Sequence, residues 1–212
     1  MKINAATQLT LLRLILIPIF LVFVLQEFWV LRVIALFIFV AASLTDYYDG
    51  RLARSRGMVT RMGTFLDPLA DKLLIVSAFV VFVQCKEIHV PAWMVVLIIG
   101  REFLITGLRT LAVSEGRVIA AQPAGKFKTT SQMVVIITTL VLLIVHALIA
   151  RYGWGSILWW AHHSGFWRFI RWILNWGPYW LTLGVTILTV VSGTIYIMAN
   201  VDLFHEKSQP GR

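Results

Sequence analysis

Six apolar runs, near residues 9–27, 29–52, 64–84, 92–113, 127–149 and 178–201, take up most of this chain. Each is close to or above the roughly 20 residues needed to cross the hydrocarbon of a bilayer as a helix. Backbone in lipid has no water to bond to, so such segments must satisfy their own hydrogen bonds and be helical. The expected fold is therefore all-α: a polytopic membrane protein with six transmembrane helices. Composition agrees, since only 14% of residues are charged, against about a quarter in a soluble domain, and the mean hydropathy is +0.82. Lys2 followed by the apolar run Leu9–Leu25 has the outline of a signal peptide. No A-x-A-like site follows it, and Gln26-Glu27 leads into another apolar run, so it reads as a first membrane helix. With no internal repeat or linker, residues 1–212 are expected to form a single membrane domain.

The formal net charge is +9, from 19 Lys+Arg and 10 Asp+Glu. These charges sit in short stretches between apolar runs, without a basic stripe or zinc-finger spacing, which argues against nucleic acid. Membrane lipid headgroups or a phosphorylated substrate remain as partners. Lys2, Arg51, Arg54, Arg56, Arg61, Arg117, Lys126, Lys128, Lys207 and Arg212 fall on one side of the spans. Arg32, Lys86, Arg151, Arg168 and Arg171 fall on the other. The positive-inside rule then places both termini and the loops around 53–63 and 113–126 in the cytoplasm. The single cysteine, Cys85, reads as a buried structural thiol.

Tyr152 to Gly177 holds Trp154, Trp159, Trp160, Trp167, Trp172 and Trp176, interleaved with His162, His163, Arg168 and Arg171. Tryptophan favours the membrane interface, so an additional interfacial helix on the outer face is expected before the last span. A metal site at His162-His163 is the sharper alternative, but adjacent residues do not share a helix face.

The chemistry concentrates in Asp46-Tyr-Tyr-Asp49-Gly50-Arg-Leu-Ala53-Arg54 and Gly63-Thr-Phe-Leu-Asp67-Pro-Leu-Ala-Asp71. Asp46 and Asp49 are spaced i, i+3 near the end of the second span, and Asp67 and Asp71 i, i+4 near the start of the third. Each pair lies on one helix face, and a short turn can bring the two faces together. An ionisable group in the membrane costs on the order of 2.5–3.5 kcal/mol, so four carboxylates together demand neutralisation. Oxygen ligands select hard divalent cations such as Mg²⁺, Mn²⁺ or Ca²⁺, and four carboxylates can hold two of them. Gly50 leaves room for a nucleotide or phosphate, Ala53 and Gly63 allow close helix approach, and Arg54 can pair with a phosphate oxygen. The alternatives are solvated helix ends and the ion pathway of a transporter; the repeats and broken helices typical of transporters are absent.

The pattern D-x2-D-G-x2-A-R-x8-G-x3-D-x3-D resembles the signature of the CDP-alcohol phosphatidyltransferase family, with every specified position matched. The resemblance implies that Asp46, Asp49, Asp67 and Asp71 bind two divalent ions, Mg²⁺ or Mn²⁺, and that Asp71 also activates the acceptor hydroxyl. It implies that Gly50, Arg54 and Thr60 contact the CDP portion of the donor lipid, and that the protein is a homodimer. Relatives often carry Pro-Asn-x-x-Thr before the first span. Here the stretch reads Ala6-Thr7-Gln8-Leu9-Thr10, keeping Thr10 as a donor-lipid contact but not the asparagine.

The acceptor alcohol has to be read elsewhere. Arg101-Glu102 and Arg109 lie on the fourth span, the arginines roughly face-aligned, and Lys126 and Lys128 open the fifth. Together they can form a pocket for the phosphate of an anionic acceptor, with Glu102 orienting an arginine or binding a hydroxyl. The alternative for the lysines is ordinary anchoring to the membrane surface. The runs R-E-F-L-I-T-G-L-R, G-K-F-K-T-x-x-Q and T-L-L-R-L-I-L-I-P resemble the bacterial branch of the family that uses glycerol 3-phosphate. That resemblance implies transfer of the phosphatidyl group of CDP-diacylglycerol to glycerol 3-phosphate in the bacterial cytoplasmic membrane. Serine, inositol or phosphatidylglycerol are the alternative acceptors.

Overall fold

A computed structural model describes residues 5–56, 61–114, 123–152 and 165–200. Six helices account for nearly all of them: α1 (Ala5–Leu25), α2 (Trp29–Arg56), α3 (Arg61–Gln84), α4 (Ala92–Ser114), α5 (Pro123–Tyr152) and α6 (Gly165–Met198). No strand occurs among the described residues. Every apolar run became a helix, most with ends a few residues beyond it, because helical backbone continues until water or a turn can take over its hydrogen bonds.

The last helix departs from expectation. Residues 165–177 do not form a separate interfacial helix but are the first turns of α6, which runs through Pro178 without a break. Proline removes one backbone donor, a loss a membrane helix can absorb, and nothing else at Gly177-Pro178 forces a turn. Arg168, Phe169, Trp172 and Trp176 are exposed on this extension, so the aromatic and basic character was read correctly and the helix boundary was not. Residues 153–164, including His162 and His163, lie outside the described residues.

α1 packs mainly against α2 and α3; α2 also packs on α5, and α6 closes the other side against α4 and α5. α3 touches α2, α4 and α5. The interior is filled by Phe20, Phe39, Phe79, Phe82, Ile98, Ile136, Leu140 and Leu143, all fully buried. The outside is also apolar: Ile15, Phe37, Val96, Phe103 and Val134 are each more than half exposed. Meanwhile Thr10, Arg13, Arg32, Lys128, Gln132, Thr139, Thr182, Thr186 and Thr189 are buried. A water-soluble domain keeps exposed apolar patches small, so this distribution is the reverse of the soluble one. Phe127–Tyr152 and Arg168–Met198 are each long and apolar enough to cross a membrane, and Thr10–Leu25, Trp29–Thr45 and Lys72–Gln84 are shorter apolar helices. α4 carries Arg101, Glu102 and Arg109 along its length.

One end of the bundle is tied by Arg32. Counted in the sequence as a surface charge, it is 2% exposed. It donates to the Gln26 carbonyl at 2.8 Å, the Leu143 carbonyl at 3.0 Å and Glu87 Oε1 at 2.5 Å. A buried guanidinium needs such partners because its charge cannot be removed. Burial alone would raise the Glu87 carboxyl, but the Arg32 hydrogen bond and charge bring it below its ordinary value of 4.5. Cys85 beside it is buried and reduced, and burial, with the Glu87 charge adding, pushes its thiol up to about 11. Stacking of His89 on Trp176 (4.8 Å, 10°) and a Trp29–Tyr152 contact at 6.4 Å complete this end.

Candidate active site at the opposite end

The aspartates sit at the other end. Asp46 and Asp49 lie on the C-terminal part of α2, and Asp67 and Asp71 on the N-terminal part of α3. Both stretches are helical, so the members of each pair stand one turn apart on a common face, and α2 and α3 are in contact. The side chains of these four residues, and those of Gly50, Arg54 and Lys126, lie outside the described residues, as does Thr60 altogether. Among the described residues no group of three or more His, Cys, Asp or Glu could hold a metal ion. The aspartate set itself is all carboxylate oxygen, a donor chemistry that fits hard divalent cations and not soft ones. Thr10 is buried on α1.

Next to Asp71, Lys72 Nζ donates to Thr106 Oγ1 on α4. That contact brings the third helix, at its aspartates, against the polar stretch of the fourth. One turn before Thr106 stands Glu102, which forms an ion pair with Lys128 on α5 and lies 3.6 Å from Arg101. Lys128 is 2% exposed, which rules out the surface-anchor reading for this lysine. A cation so deeply placed needs a counter-charge, and Glu102 supplies it. One turn along α5, Gln132 is equally buried, and its Nε2 has no hydrogen-bond partner among the described residues.

The two arginines of α4 both reach α6. Arg101 Nη2 donates to Ser192 Oγ at 3.1 Å, and Ser192 Oγ in turn donates to the Thr189 carbonyl at 3.0 Å. Arg109 Nε donates to Tyr196 Oη at 3.4 Å, with its guanidinium carbon 5.6 Å from the centre of that ring. Between them, Ile105 and Leu108 pack on Tyr196 and hold the helices together. The face alignment expected for Arg101 and Arg109 is present because eight residues are a little over two helical turns. Arg101 Nε is buried without a hydrogen-bond partner among the described residues.

Sequence reasoning found the residues of α4 and α5 but none on α6. The signal was there: Thr182, Thr186, Thr189, Gly193 and Tyr196 recur at spacings of four and three through an otherwise apolar span. That is the period of a buried helix face. Lys72 stands outside the aspartate motif, and its partner on α4 becomes visible only in three dimensions.

Three relatives of known name share this arrangement of sequence. A CDP-diacylglycerol--glycerol-3-phosphate 3-phosphatidyltransferase of Bacillus subtilis is 42% identical over 63% of this chain and 74% of its own length. The enzyme of the same name in Escherichia coli is 44% identical over 63% of this chain and 75% of its own length. A probable phosphatidylglycerophosphate synthase of Mycobacterium tuberculosis is 43% identical over 63% and 64%. The profile of the CDP-alcohol phosphatidyltransferase family matches residues 3–184. Together with the aspartate-bearing ends of α2 and α3, this match establishes that the chain belongs to the CDP-alcohol phosphatidyltransferase family.

Proposed function

We propose that this protein transfers the phosphatidyl group of CDP-diacylglycerol to glycerol 3-phosphate, giving phosphatidylglycerophosphate and CMP. The names of its relatives support the reaction class and the acceptor. The observation that carries the acceptor is the cluster of Arg101, Glu102 and Lys128, largely buried and joined to the aspartate-bearing helix through Lys72 and Thr106. An uncharged acceptor such as inositol gives no reason to sink cations this deeply. A phosphate does, because charge-assisted bonds strengthen away from water.

Asp46, Asp49, Asp67 and Asp71 would hold two divalent ions, Mg²⁺ or Mn²⁺, whose chemistry when bound is to offset charge on the donor pyrophosphate and the departing CMP. Gly50, Arg54, Thr60 and Thr10 form the donor side, with Arg54 pairing with phosphate oxygens. Arg101, Arg109, Lys126 and Lys128 orient the acceptor through its phosphate. Asp71 takes the proton of the 1-hydroxyl of glycerol 3-phosphate. That oxygen attacks the lipid-linked phosphorus, the bond to CMP breaks, and CMP leaves with the electron pair. The whole chain acts as one domain with six spans, its aspartate end facing the cytoplasm of a bacterium, and works as a homodimer. The apolar exterior and buried polar interior support the membrane setting.

Purified protein in detergent micelles, given radiolabelled CDP-diacylglycerol and a panel of acceptors, tests the proposal. CMP release is expected with glycerol 3-phosphate and not with serine, inositol or phosphatidylglycerol. Asp71→Asn is expected to lose at least about 100-fold in rate, the lower range for general-base removal, while still binding donor lipid. Turnover with another acceptor alone would overturn the acceptor, and full activity of Asp71→Asn would overturn the base.

A further inference from the structure

Gly193 on α6 has no role in the reaction just described, yet it is where the helix meets the stem of Arg101. A Cβ built at this glycine would stand 2.8 Å from Arg101 Cγ, 3.2 Å from its Nε and 3.6 Å from its Cδ. The first of these distances is below any ordinary carbon–carbon contact. The other α6 glycines differ: Gly184 has nothing within 4 Å of such a Cβ, and Gly177 meets only ordinary contacts at 3.6 and 3.7 Å. The arginine therefore lies against bare backbone at residue 193. Its guanidinium is held by the neighbouring Ser192 Oγ, whose own proton is committed to the Thr189 carbonyl. That commitment leaves the hydroxyl oxygen free to accept and pins its direction. Arg101 is thus seated at its stem by the absence of a side chain and at its tip by a pre-oriented acceptor.

We infer that Gly193 and Ser192 are positioning residues for the acceptor, setting its affinity by seating Arg101 against α6. The inference rests on the reading of Arg101 as a ligand of the acceptor phosphate. A methyl at residue 193 must push the stem away from α6, because the atom it meets first is Cγ, near the backbone, where the side chain has least freedom to yield. The guanidinium then leaves Ser192 and the position in which it meets the acceptor phosphate. The donor side, at the aspartates of α2 and α3, is untouched by this displacement.

Steady-state CMP release in micelles, with both substrates varied, tests the inference. Gly193→Ala and Ser192→Ala are each expected to raise the KM for glycerol 3-phosphate about tenfold, the worth of one charge-assisted hydrogen bond. The KM for CDP-diacylglycerol should stay within about twofold. In an Arg101→Ala background the clashing atom is gone, so adding Gly193→Ala should change kcat/KM for glycerol 3-phosphate no further. An unchanged acceptor KM in Gly193→Ala overturns the inference, and so does an equal loss on top of Arg101→Ala, which would mark a merely structural glycine. If Gly193→Ala does not accumulate, Ser192→Ala decides: a raised acceptor KM supports the seat and an unchanged one overturns it. Wild-type protein that turns over another alcohol but not glycerol 3-phosphate sinks the acceptor reading, and this inference with it. The other failures sink this inference alone.

Discussion

Lys128 carries two obligations. It is a cation buried to 2% exposure that must be neutralised within the protein, and it is proposed to meet a phosphate. Glu102 discharges the first. Removing one member of a buried pair strands the other and costs on the order of 3–5 kcal/mol, whereas replacing both with neutral residues is often tolerated. Lys128→Met should therefore lower the denaturation midpoint markedly, and Lys128→Met with Glu102→Gln should recover most of the loss. Acceptor affinity should follow a different course, with the KM for glycerol 3-phosphate raised in both variants. Thermal unfolding beside kinetics checks this; recovery of both properties in the double variant would show that the lysine is only structural. The sequence announced Lys128 as a charge at the mouth of a helix. It did not announce its depth, which depends on α5 meeting Glu102 of α4, information no single segment holds.

Among the elements, the helices were legible because each apolar run is long enough to be read as a helix by itself. What was not legible was partnership. The extension of α6 to Gly165 was missed because tryptophan and arginine content marks an interface without saying whether the helix bends there. The ion pair between Arg32 and Glu87 was missed because its partners are 55 residues apart. That pair has a measurable signature. The Glu87 carboxyl is held below its ordinary 4.5, so between the folded and unfolded values the unfolded chain binds more protons, and stability rises with pH there. The contribution is full above about pH 5 and is lost as pH falls through the folded value. Wild type and Glu87→Gln, unfolded at pH 7 and then at steps down to pH 3.5, should differ most at neutral pH and converge in acid. A constant gap would show that the carboxylate charge is not what stabilises this turn.

For the molecule as a whole, the two ends have opposite chemistry: tied aromatic and ionic contacts at one, carboxylates and cations at the other. Sequence charge counts gave this polarity its orientation, and a single engineered thiol can read it. Native Cys85 should resist maleimide, being buried with a thiol held near 11. Lys86, exposed in the turn beside it, should label readily as Lys86→Cys in a Cys85→Ala background. The proposed orientation requires an impermeant reagent to label it in intact cells from outside; labelling only after the membrane is broken would invert the topology. The aspartate helices, by contrast, were placed at one end from the sequence alone. Their spacing specifies a face, and a charged face has few tolerable depths in a bilayer.

The Arg32 junction makes the bundle a lever. It gathers α2, α5 and the α3–α4 turn at a single point, and α3 runs from Gln84 at that fulcrum back to Asp71 and Asp67. At helical rise that arm is about 20–26 Å long, so a tilt of roughly 5° about the fulcrum sweeps the aspartates through about 2 Å. A pivot fixed at the end remote from the chemistry converts small angular changes into displacements longer than a phosphorus–oxygen bond.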